Sequence, residues 1–161
     1  MRVALTALAF AACTPWTDFP DVEGPGDVVA ASPGTYSGTA TLEVRAFAGP
    51  VMVKRELCTT PVDIVVDSTA EFLLEGEFEC TFEELGDVDA EFRGNSNTLP
   101  LIAGELDASP VLAEWDGWFI DSTEFYADMI GDDTARGLRL EYRGFVQADR
   151  TGPLPGTSVG P

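Results

Sequence analysis

Glu71-Phe72-Leu73-Leu74-Glu75-Gly76-Glu77-Phe78-Glu79-Cys80-Thr81-Phe82-Glu83 decides the fold class of this chain. Its even positions hold Phe72, Leu74, Gly76, Phe78, Cys80 and Phe82, while Glu71, Glu75, Glu77, Glu79 and Glu83 fall on odd ones. A period of two places the rings on one side of a strand and the carboxylates on the other; a period of 3.6 would mix them. The same alternation recurs in Tyr36–Ala46, Asp87–Gly94 and Leu138–Asp149. Shorter runs at Val51–Leu57, Val62–Val66, Leu101–Leu106 and Leu112–Ile120 read as further strands. One apolar face and one solvated face is the pattern of antiparallel sheet.

Reversal chemistry falls between these runs, at Ala48-Gly49-Pro50, Asp67-Ser68-Thr69, Gly94-Asn95-Ser96-Asn97 and Ala108-Ser109-Pro110. Glu83-Glu84-Leu85-Gly86-Asp87 suits one tight helical turn. Asp121–Ala135 is the least strand-like stretch and suits a short helix ending in a Gly131-Asp132-Asp133 loop. Gly38, Gly76, Gly104, Gly117 and Gly144 lie inside strand runs, which signals sharp curvature or close backbone approach. The expected fold is therefore all-β: an antiparallel meander of about eight strands over residues 34–150, closed as a barrel or folded as a sandwich.

Composition removes several functions. The 161 residues hold 9 Lys+Arg against 28 Asp+Glu and no His, a formal charge of −19. Without His there is no Ser-His-Asp triad, Cys-His dyad or imidazole metal ligand. The acidity repels a phosphate backbone, so nucleic acid is not an expected partner. No phosphate-cradling loop or redox-cofactor fingerprint is present, and no cofactor is expected. Carboxylate-only catalysis, such as glycoside hydrolysis, is the surviving enzymatic option, but 28 acids make a suitable pair common by chance.

The N-terminus carries an address. Arg2 precedes an uncharged run from Val3 to Ala12 that closes on small residues, the plan of a secretory signal. Phe10-Ala11-Ala12-Cys13 resembles the lipobox of bacterial lipoprotein precursors. The resemblance implies removal of residues 1–12, acylation of Cys13 and anchoring in the cell envelope. Thr14, which is not Asp, implies the outer membrane. Removal of 1–12 would take away Arg2 and no acid, leaving 28 acids against 8 bases, a formal −20. Residues 13–33 carry Pro15, Pro20, Pro25 and Pro33 among acids and glycines, and read as an extended, solvated tether. Residues 151–161 read as a disordered tail. Gly34-Thr35-Tyr36-Ser37-Gly38 resembles the Gly-x-aromatic opening of lipocalin-like and avidin-like barrels, which implies an apolar interior pocket, here behind Tyr36, Phe78 and Tyr142.

With Cys13 acylated, Cys58 and Cys80 remain as an even pair fit for one disulfide in an oxidising compartment. It would close a loop of about 20 residues and stabilise by roughly 3 kcal/mol. The Glu75, Glu77, Glu79 row projects at intervals of about 7 Å, and Arg139 and Arg143 are its candidate cross-strand partners. Asp128, Asp132 and Asp133 are weak candidates for Ca²⁺, since their spacing is not that of an EF-hand. Trp115, Trp118 and Phe119, with Asp116 beside them, are the candidate ligand-binding residues. The functional expectation is a lipid-anchored, non-catalytic module that binds a small apolar ligand or an envelope partner. The alternatives are a structural or assembly lipoprotein with a filled sandwich core and, further off, a carboxylate-dependent glycan hydrolase.

Overall fold

A computed structural model describes residues 16, 31–84, 86–98, 101–108, 111–135 and 137–154, with backbone alone at 96–98, 101–108, 111, 112 and 135. Eight strands follow in chain order: β1 (Gly34–Ala48), β2 (Val51–Val66), β3 (Leu74–Phe82), β4 (Gly86–Thr98), β5 (Leu101–Ala108), β6 (Val111–Phe119), β7 (Glu124–Ala135) and β8 (Leu138–Gly152). Each pairs antiparallel with the next, and β8 returns to β1, so the sheet closes into a barrel. Among the described residues no helix is long and apolar enough to cross a membrane.

Several boundaries differ from the sequence reading. Val51–Leu57 and Val62–Val66 are two parts of one strand, β2, which runs straight through Pro61. Gly94, Asn95 and Ser96 extend β4 rather than turning it. Asp121–Ala135 is not helical: it supplies a turn and then β7. The cause is that β7 is apolar on both sides, with Phe125, Ala127 and Met129 buried inward and Tyr126 buried on the outer wall, which hides the alternation. Glu83 and Glu84 form a turn, not a helical one, and β4 begins at Gly86, whose φ of 84° lies in the left-handed region. The last strand runs two residues into the expected tail, to Gly152.

The tripeptide Asp-Ser-Thr makes two turns at the same end of the barrel. Asp67 Oδ1 accepts the Thr69 N–H and hydroxyl at 2.8 Å each, and Asp121 Oδ1 accepts those of Thr123 at 2.6 and 2.7 Å. The Asp side chain thus satisfies the turn's own donors. These bonds hold both carboxyls below the ordinary aspartate range.

Inside, a chain of ring contacts crosses the barrel: Tyr36–Phe119 at 5.6 Å, Phe119–Phe125 at 5.2 Å, Phe125–Trp115 at 6.2 Å, Trp115–Phe92 at 5.5 Å and Phe92–Phe78 at 6.2 Å. Two strand glycines make room for it. A Cβ at Gly76 would lie 2.2 Å from Phe92 Cζ, and one at Gly117 would lie 2.7 Å from Phe125 Cζ. Tilted and edge-on rings thus line the interior behind Tyr36 and Phe78.

The wall is unequal around its circumference. The β1–β2 ladder runs from Gly34↔Val66 to Ala48↔Val51, but β2 and β3 share four residue pairs, Asp63↔Glu77 to Val66↔Leu74. Pro61, with no N–H to give, stands just past the last pair. Beyond it the Cys58–Cys80 disulfide joins the two strands, with a Cα–Cα distance of 5.7 Å. The Glu84 N–H donates to Glu56 Oε1 at 2.9 Å, and Lys54 Nζ donates to Glu84 Oε1 at 2.7 Å. The covalent bond thus stands where the backbone ladder is missing.

Candidate functional site

β6 separates the four residues read as a binding group. Trp115 and Phe119 face inward and are core, 2 % and 1 % exposed. Trp118 faces out from the next register and stacks on Tyr126 of β7, centroids 6.4 Å apart and planes 19° off parallel. Tyr126 in turn tilts against Phe145 of β8 at 5.7 Å. The Tyr126 hydroxyl donates to Glu124 Oε1 at 2.8 Å and accepts from Gln147 Nε2 at 2.9 Å. Burial first, and then Glu124, push this phenol up to about 12. Trp118 is itself buried, and its indole N–H meets no acceptor. Asp116 is exposed on the outer wall opposite Asp128, not beside the rings of Trp115 and Phe119.

The three aspartates read as weak calcium candidates lie in β7 rather than in a loop. Asp128 and Asp132 occupy the outer wall, and the odd-numbered Asp133 faces the other way, where it acts on Tyr142. Burial raises the Asp128 carboxyl, with Arg143 opposing and Asp116 assisting. Among the described residues no three acidic or thiol side chains converge as metal ligands would. Cys13 lies outside the described residues.

The acidic row gains members the sequence did not assign. Register sets Asp63 of β2 opposite Glu77 of β3, and Glu77 opposite Glu91 of β4. One step along, Glu79 stands opposite Asp89. Cross-strand neighbours lie about 5 Å apart at Cβ, and like charges there oppose pairing. Two clefts of about 430 and 440 Å³ open on this face, and Asp63, Glu77 and Glu91 border both. Arg139 and Arg143 do not serve the row, because β8 pairs with β1 and β7. Arg93, opposite Glu75, is the base in the first cleft. Strand periodicity placed Glu77 outward, but which acid of another strand stands opposite depends on register, which the sequence does not state.

The outer wall of β1 holds a second group that alternation misses. Glu43 sits on the nominally solvated face yet is 0 % exposed, and Arg45 beside it is 6 % exposed. Glu43 Oε1 accepts from Arg45 Nε at 2.7 Å and Arg55 Nε at 2.9 Å, and Oε2 accepts from Arg55 Nη2 at 3.2 Å. The Arg45 guanidinium carbon lies 3.8 Å from the centre of the Trp16 ring. Trp16, expected in a solvated tether, instead packs on the barrel wall, an arrangement that cation–π attraction favours.

Comparison with protein-family models, with curated proteins and with solved structures finds no match to this chain.

Proposed function

We propose that this chain is a lipid-anchored protein of the bacterial envelope, held at the outer membrane, that works by non-catalytic binding. Its partner is a cationic segment of another envelope component, taken on the outer wall of β2, β3 and β4. The observation that carries this reading is the Asp63–Glu77–Glu91 row, three carboxylates opposed in register and bordering two clefts. Opposed like charges cost pairing energy, so a row of them suits a partner that brings the missing charge. The aromatic chain favours an outer-wall site over a small apolar ligand within the barrel.

The row is tested by titrating the full-length protein with a fluorescent oligoarginine peptide at near-physiological salt. Saturable binding that weakens about tenfold in Glu77→Gln/Glu91→Gln supports the site, given that charge complementarity sets specificity. Equal weakening in Glu114→Gln, an acid outside the clefts, would reduce the effect to net charge and sink it. The anchor has its own test: Cys13→Ala should leave the membrane fraction, and a variant that still takes up fatty acid and stays bound refutes the lipoprotein reading.

A further inference from the structure

The β1–β2 hairpin ends in a stretch unlike the rest of this acidic surface. From Ala46 to Val53 the chain carries no charge, and it reverses at Gly49, whose φ of 60° suits the turn. Val51 and Val53 are 55 % and 52 % exposed, and Leu57 behind them is 51 % exposed. Val51 and Val53, two residues apart on one face of the hairpin end, form an exposed apolar pair that suits contact with something apolar. The flanking charges cancel locally: Lys54 pairs with Glu84 and Glu56, Arg45 and Arg55 share Glu43, and Arg139 pairs with Glu141. These pairs hold four bases against four acids.

Position relative to the anchor selects the occupant. Trp16 sits on Arg45 of β1, and Cys13 precedes Trp16 by three residues, a span of at most about 10 Å. Five residues of extended strand, about 17 Å, separate Arg45 from Pro50 at the tip. That span lets an acylated Cys13 and the apolar tip reach one bilayer surface.

We propose that the β1–β2 hairpin tip is a second membrane contact, laid on the bilayer that holds the acyl chains of Cys13. The inference rests on the lipoprotein reading and adds an orientation to it. With Val51 and Val53 in the headgroup boundary, the barrel stands on its hairpin, and the β2–β4 acidic wall is held upright beside the membrane. Apolar area buried at the interface adds to the lipid's hold, and each alone would leave the orientation loose.

The test uses the full-length lipidated protein, carrying an environment-sensitive fluorophore at Val53→Cys or, as control, at Glu77→Cys. Each is reconstituted on phosphatidylethanolamine/phosphatidylglycerol vesicles and floated. Quenching by spin-labelled lipid should be about threefold stronger at position 53 than at 77, as expected for interfacial burial. A Val51→Asp change in the labelled Val53→Cys protein should remove that difference while flotation persists, and an unchanged melting curve shows that the variant is folded. Failure of the protein to float overturns the anchor, and the docking inference with it. Flotation with equal quenching at both positions overturns the docking alone. Shielding of position 53 in native envelope membranes but not in protein-free vesicles assigns the tip to an envelope protein and overturns the bilayer as its occupant.

Discussion

The outer walls of β1 and β3 obey the same alternation in sequence and end in opposite environments. On β3, Glu75, Glu77 and Glu79 are all exposed, and the strand is what it reads as: core on one side, water on the other. On β1, Glu43 and Arg45 hold the equivalent positions and are buried, with Trp16 over the guanidinium. Period two thus identifies the face that meets the core. What lies over the other face depends on chain from elsewhere.

The largest blow to this contrast should come from Glu43→Ala. Removing the carboxylate takes away the buried acceptor that Arg45 and Arg55 share, and about 3 kcal/mol of stability should be lost in denaturant unfolding. The matched change on β3, Glu79→Ala, should stay within about 0.5 kcal/mol; equal losses at the two sites would erase the distinction between the walls. Next comes Gly76→Ala, which probes the inner side of β3. The added methyl meets the Phe92 ring, and overpacking should cost about 2 kcal/mol, largely recovered in Gly76→Ala/Phe92→Leu. Trp16→Ala should cost about 1 kcal/mol and bring Arg45 within reach of guanidinium-specific reagents. A melting temperature and reagent reactivity unchanged by that variant would show that Trp16 does not shelter β1.

A smaller effect is pH-dependent and belongs to the aromatic outer wall. The Tyr126 phenol is raised from 10.0 to about 12, so the folded state holds its proton more tightly than the unfolded chain does. Its stabilising contribution is complete below pH about 10 and disappears as the pH rises through about 12. Burial raises Tyr36 and Tyr142 in the same direction. Melting temperatures recorded between those pH values should fall, and Tyr126→Phe should flatten part of the decline. The smallest expected change is a gain: Glu77→Gln/Glu91→Gln relieves two opposed charges and should raise the melting temperature by about 1–3 °C.

Strand identity was legible wherever one face was apolar and the other charged, as in β3, β4 and β8. It failed at β7, where Tyr126 and Ile130 put apolar groups on the outer wall and imitated an irregular or helical stretch. The disulfide was legible from cysteine parity, but its place at the end of a four-pair ladder was not, since pairing length is a property of two strands together. Of the candidate site, the structure leaves Trp118 on the outer wall, where it is buried against Tyr126, and puts Trp115 and Phe119 in the core. The acidic clefts needed register between β2, β3 and β4. The Glu43 cluster needed the knowledge that a tryptophan 27 positions earlier returns to the wall.

Closure by β8 on β1 has a consequence for the order in which this molecule can form. Thr35 meets Gly152 and Tyr36 meets Arg150 across that join, and Arg150 Nη2 donates to the Pro33 carbonyl at 2.8 Å, contacts 117 residues or fewer apart but never local. Every other strand pairs with its immediate successor. A chain emerging from its N-terminus can therefore zip hairpin by hairpin from β1 to β7, yet β1 keeps one bare edge until the last strand arrives. That interval is when two such chains could pair edge to edge in error. The final fifteen residues of the barrel thus act as its latch, and truncation there should expose β1 rather than merely shorten the sheet.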